Sequence, residues 1–147
     1  MQTTFDALQK TIKRGDLTRV EEALNQGVKV DLCNKNGCTL LMLAAGTGNT
    51  AIGKLLIERG ADINARTTFP QSSSQSSPLS IAAISGKPSF IKVLLERGAS
   101  LNASPYSGTF ESYVDWLEKY SAATPEQLTN IRSVLEAEKL KRSASGT

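Results

Sequence analysis

Glycines recur along this chain at two offsets, and that recurrence restricts its fold more than any other feature. Gly48 and Gly60 have counterparts 33 positions earlier, at Gly15 and Gly27, and 38 positions later, at Gly86 and Gly98. Ala44 and Ala45 return as Ala82 and Ala83, and the turn GADINA at 60–65 returns as GASLNA at 98–103. Within one copy the residues specify a turn, a short helix, a second helix and another turn. Thr39 is placed to cap the first helix with its hydroxyl, and Gly48 to end it in a left-handed conformation. Ile52, Leu55, Leu56 and the neighbouring Ile57 give the second helix an apolar face at helical spacing. The alanine pair is small enough for another helix to approach closely. A unit with apolar surface on both sides cannot bury it alone, so it requires neighbours of its own kind.

On these residues the chain resembles the ankyrin-repeat family, whose pattern is G-x-T-P-L-H-x-A-A-x-x-G followed by I-V-x-L-L-L-x-x-G-A-D-V-N-A. One copy matches at Gly37, Thr39, Leu41, Ala44, Ala45, Gly48, Ile52, Leu55, Leu56, Ile57, Gly60, Ala61, Asp62, Asn64 and Ala65. The next matches at Ser77, Pro78, Leu79, Ala82, Ala83, Gly86, Val93, Leu94, Leu95, Gly98, Ala99, Asn102 and Ala103. The resemblance implies an all-α ankyrin-repeat solenoid of stacked helix-turn-helix units with β-turn or hairpin fingers. It implies one domain over 1–147, with repeats over about 1–33, 34–66 and 67–104, a divergent C-terminal cap over 105–140 and a frayed tail over 141–147.

Several segments depart from the pattern. Phe5, Leu8 and Ile12 form one stripe of an N-terminal capping repeat, with Gln9, Lys10, Lys13 and Arg14 on its wet face. Val20, Ala23 and Leu24 repeat that arrangement in the following helix. Leu40 stands where proline usually opens the helix, and Met42 and Ser80 stand where histidine usually ties neighbouring turns together. These changes predict modest stability. Five extra residues fall within TTFPQSSSQSS, between Arg66 and Ser77. Its small polar composition predicts a mobile loop. The segment is either a tolerated insertion or a finger that touches a partner through Phe69 and Pro70. Beyond Ser104, Phe110, Tyr113, Val114 and Leu117 keep helical spacing, as do Leu128, Ile131, Val134 and Leu135 after Pro125. Thr124 is placed to cap the last helix.

Composition narrows the functional classes. No run of 18 apolar residues exists, so no transmembrane helix is expected, and the amphipathic N-terminus lacks the apolar block of a signal peptide. A cytoplasmic setting and no membrane partner are therefore expected. The chain has no histidine, so neither the usual zinc pairings nor a histidine general base can be completed, and no metal or cofactor is expected. Cys33 and Cys38 are five apart; the missing secretion signal favours two reduced thiols over a local disulfide. A net charge of +3 without a basic patch interleaved with aromatics argues against nucleic acid. No glycine-rich phosphate loop or nucleophile–base spacing occurs, so no catalytic residue is assigned and an enzyme is not expected.

The resemblance implies instead a protein-binding module (an adaptor, inhibitor or effector), a monomer when free, whose concave face and fingers hold another protein. Carried over by position, the contacts are Lys35, Asn36 and Cys38 from the second turn, with Gly46 and Thr47 from the helix above. Arg66, Ser74 and Ser76 come from the third turn, Ile84 and Ser85 from its helix, and Lys13 and Arg14 extend the surface. Phe69 would serve the finger. Trp116 is either a hot spot or a core residue of the capping helix, and its place beside Leu117 leaves both readings open. The alternative function is architectural, as a subunit or self-associating scaffold of a larger assembly.

Overall fold

The computed structural model describes residues 5–67, 75–102, 108–121 and 123–145. Among them are eight helices: α1 (Phe5–Arg14), α2 (Leu17–Asn25), α3 (Leu40–Thr47), α4 (Thr50–Glu58), α5 (Pro78–Ile84), α6 (Pro88–Glu96), α7 (Phe110–Tyr120) and α8 (Pro125–Ala144). The first helix of each pair packs on the first helix of the next, in the order α1, α3, α5, α7. The second helices form a parallel layer, α2, α4, α6, α8. The only β feature among the described residues is an antiparallel bridge between Cys33 and Thr39. The molecule is thus a two-layer helical stack.

Helix ends follow the local chemistry. The Thr39 hydroxyl accepts the Met42 N–H at 3.3 Å, and the Met42 sulfur accepts the Thr39 N–H at 3.5 Å. In the next unit Ser77 and Ser80 do the same at 3.2 and 2.9 Å. The two residues that replace histidine therefore each satisfy a donor at the start of their own helix. Gly48 stops α3 at φ 76°, and its N–H reaches the Ala44 carbonyl. A side chain at that angle would be strained.

The ties between neighbouring turns, which loss of histidine was expected to weaken, come from other side chains. The Asp31 carboxylate accepts the Asp62 N–H at 2.9 Å, and the Asn64 carbonyl oxygen accepts the Ser100 N–H at 2.8 Å. Asp31 and Asn64 are 33 apart, so one repeat position performs the same task twice. Arg66 adds a longer brace, donating to the Gln75 and Asn102 carbonyls at 3.0 Å each.

A single cluster of buried apolar residues runs from Leu8 and Ile12 through Ala44, Ala45, Leu79, Ala82, Phe90 and Leu94 to Leu117, Ile131 and Leu135. The second helices pack tightly at Gly53, buried in α4. A Cβ built there would lie 2.6 Å from the ring edge of Phe90, which is fully buried in α6. On an exposed helix Gly→Ala would gain about 1 kcal/mol of helix propensity. Here Gly53→Ala is expected to lose about 1–3 kcal/mol, because the Phe90 ring has no room to retreat. Urea unfolding followed by circular dichroism measures the difference; a stabilised variant would contradict the packing.

Ion pairs also bridge the last two helices. Arg132 on α8 donates to Asp115 at 2.9 Å and to Glu118 at 2.8 Å, both on α7, and Lys139 meets Glu111 at 2.8 Å. The hydrogen bond from Arg132, and then its charge, hold the Glu118 carboxyl below the usual carboxylate range. A lowered folded-state pKa contributes stability above the unfolded value, which is lost as acid protonates the carboxyl. The pair is exposed, so its contribution is small.

Of the tail expected to fray over 141–147, the described residues are helical up to Ala144. Arg142 donates to the carbonyls of Leu95 and Ala99 at 3.2 and 2.8 Å. It also pairs with Glu138 at 3.0 Å, a carboxylate whose side chain is only 11% exposed. A polar stretch stays helical here because α6 ends beside it with carbonyls to offer.

Candidate functional site

Counting from the helix caps defines which positions of the inner layer face outward together. Seven residues after Thr39, Ser77 and Thr109 stand Gly46, Ile84 and Trp116. Aligning Gly15 with Gly48 places Lys13 at the same position on α1. Lys13, Gly46 and Ile84 are exposed, and Trp116 is half-buried. The position after them carries Arg14, Thr47 and Ser85, two exposed and one half-buried, but in α7 it is the buried Leu117. The row four residues after the caps holds the half-buried Leu43 and Ile81 and the buried Tyr113, with Lys10 as the α1 equivalent.

This surface changes character along its length. At the α1 end Lys10, Lys13 and Arg14 are exposed, and none takes part in the ion pairs formed among the described residues. In the middle, Gly46 carries no side chain; a Cβ there would make ordinary contact with Ile81 at 3.7 Å. Thr47 spends its hydroxyl on the Ala44 carbonyl at 2.9 Å.

At the α7 end the surface is apolar and aromatic. The Trp116 ring lies 5.8 Å from Tyr113 at 14° and 5.6 Å from Tyr120 at 40°. Ile84 is 56% exposed and Tyr120 62%. With Ser85, Trp116, Ser121, Ala123 and Gln127 they line a groove of about 460 Å³. Trp116 stacks on buried Tyr113 and also lines the groove. Sequence reasoning missed Tyr120 and the loop residues after it. Tyr120 stands four residues from Trp116 and seven from Tyr113, a helical spacing that was there to be read.

The turn residues are distributed differently. Lys35 is exposed, whereas Asn36 and Cys38 are half-buried, with their N–H groups bonded to the Asn34 side chain at 2.9 and 3.0 Å. Cys33 and Cys38 are free thiols; burial, and then the neighbouring Cys33, push the Cys38 thiol pKa up, which disfavours the reactive thiolate. The Arg66 guanidinium is engaged in its brace. Ser76 is half-buried, exchanging bonds with Thr67, whose N–H donates to the Ser76 carbonyl and whose hydroxyl accepts the Ser76 N–H, both at 2.9 Å. Thr67 is 3% exposed, so the base of the inserted loop is clamped to the body. Phe69 and Ser74 lie outside the described residues. Among the described residues no three His, Cys, Asp or Glu side chains gather to hold a metal, and no helix is long and apolar enough to cross a membrane.

The stacking and the repeat positions agree with comparison to known proteins. A family model described as ankyrin repeats, in three copies, matches residues 6–104, more than half of the 147. The chain belongs to the ankyrin-repeat family. It is similar to the "Ankyrin repeat, SAM and basic leucine zipper domain-containing protein 1" of Carollia perspicillata, 37% identical over 59 residues, 40% of this chain and 12% of that protein. The protein of that name in Ovis aries is 38% identical over 61 residues, 42% of this chain and 12% of its own. Delta-latroinsectotoxin-Lt1a of Latrodectus tredecimguttatus is 48% identical over 44 residues, 30% of this chain and 4% of the toxin. The matched segments thus span about an eighth or less of these relatives. Repeats of this family are generally protein–protein interaction modules.

Proposed function

We propose that this chain is a non-enzymatic binding module, acting as an adaptor, inhibitor or effector, that holds one partner protein against its inner helices and the adjoining turns. The observation that carries this reading is the exposed groove beside Ile84, Trp116 and Tyr120. Side chains that expose this much apolar surface side by side gain by covering it, and tryptophan and tyrosine are the residues on which binding energy concentrates. The inner-helix face also offers a row of positions not needed for stacking, since the alanines and leucines behind it form the core. In this reading the cytoplasm is the compartment of action and the free protein is a monomer.

The test is affinity capture from the native host with the parent chain and with Ile84→Glu/Tyr120→Ser. Both residues are exposed, so melting should be unchanged. A partner identified with the parent should be lost with the variant. Equal recovery from both would place binding elsewhere. A defined oligomer of the parent on light scattering, dissolved by the same substitutions, would support self-association instead.

A further inference from the structure

We infer that the occupant of the inner face is an extended peptide segment, acidic where it crosses α1 and carrying a bulky apolar side chain where it reaches α7. This rests on the reading of that face as the binding surface and names the chemistry of what it holds. The argument is one of complementarity. Lys10, Lys13 and Arg14 are three cations on the last two turns of α1, exposed and outside the ion pairs of the described residues. Of the nearby carboxylates, Asp16 pairs with Arg19 at 3.3 Å and Glu21 with Arg59 at 3.6 Å, while Glu22 stands beside Leu8, Thr11 and Arg19 between α1 and α2. Asp6 is exposed but lies at the opposite end of α1. Free cations of this kind attract an anionic segment and fix its register.

The α7 end has the opposite character. Its groove is built from Ile84, Ala123 and two aromatic rings, with Ser85, Ser121 and Gln127 as polar margins. The acidic residues of α7 are drawn to α8: Asp115 and Glu118 to Arg132, and Glu111 to Lys139. Lys119 rests 5.2 Å from the Tyr120 ring centroid. An aliphatic or aromatic side chain fits this end, and a charged one would lose its water there.

Distance then sets the length. Neighbouring packed helices stand roughly 8–10 Å apart, so the span from α1 to α7 is about 27 Å, or roughly eight residues of extended chain. Between the two ends, Gly46 and Thr47 keep the surface low enough for a backbone to pass. The acidic and apolar parts of the ligand should therefore be separated by several residues rather than adjacent.

The probe is a displayed library of random twelve-residue peptides, panned against the immobilised full chain with Lys13→Glu/Arg14→Glu and Ile84→Ser/Tyr120→Ser as counter-targets. Enriched sequences should carry Asp or Glu toward one end and Leu, Phe, Trp or Tyr toward the other. A labelled synthetic form of the best should lose about tenfold or more affinity against each variant, since each removes one of two anchors. Binding should also weaken as salt rises, and the charge-reversal variant should lose most of that salt dependence. All substituted residues are exposed, so the variants should melt with the parent. Enriched peptides that are neutral or basic, or whose affinity survives charge reversal at Lys13 and Arg14, would overturn the inference while leaving the face as a binding site. Peptides indifferent to both variants would remove the face as well.

Discussion

Replacing Ala82 with arginine should cost several kcal/mol and leave the chain without a cooperative native transition at room temperature. Ala82 is fully buried in α5, the helix that packs on α3, α6 and α7. Its methyl group faces neighbouring helices, and the space it fills is part of the continuous core. Arginine there would overpack the site and carry a charge into a region with no partner for it. A stack whose units contact only their neighbours loses both interfaces when a middle unit is forced apart. The control lies two residues away. Ile84→Arg, on the exposed side of the same helix, should melt within about 0.5 kcal/mol of the parent. Thermal and urea unfolding of the three proteins decide the matter. Similar curves for Ala82→Arg and the parent would mean the helices do not stack as described.

Arg142→Ala should lose about 2–3 kcal/mol, an unexpectedly large effect for a side chain so near the end of the sequence. The guanidinium bonds the Leu95 and Ala99 carbonyls and the Glu138 carboxylate together. Its loss leaves two acceptors at the end of α6 without this donor and a nearly buried carboxylate without its cation. The guanidinium is itself about a third exposed, which keeps the effect below that of a fully buried pair. Arg142→Ala combined with Glu138→Gln should recover part of the loss, since a neutral amide needs no cation. A chain ending at Leu140 should be destabilised to the same degree as Arg142→Ala. Hydrogen exchange over α6 and α8 locates the change: protection should fall first at Leu94–Ala99 and the last turns of α8. A truncated chain as stable as the parent would show that the tail carries no structural load.

The repeat architecture was legible because it depends on residues that act locally and at fixed intervals. Gly48 can hold φ 76° wherever it is placed, and Thr39 or Ser77 can cap whatever helix follows. The buried residues of α7 and α8 were legible for the same reason, since Phe110, Tyr113, Val114 and Leu117 keep one helical face. Turn contacts were less legible. Arg66 and Asn36 look like free surface groups in the sequence, but Arg66 spans two loops and the Asn36 N–H is held by Asn34. That α8 runs on to Ala144 was not legible, because KLKRSASGT shows no apolar face.

By itself, then, the sequence determined the family, the helical units and the alanine seams between them, because each is written in short-range residue patterns repeated at constant spacing. Only the tertiary structure decided where the surface turns from cationic to aromatic, because that depends on four helices 30 or more residues apart laying equivalent positions side by side. It also decided that Tyr120 joins Ile84 and Trp116 around one groove, and that Arg142 reaches the end of α6. These are contacts between units, and no spacing within one unit encodes them.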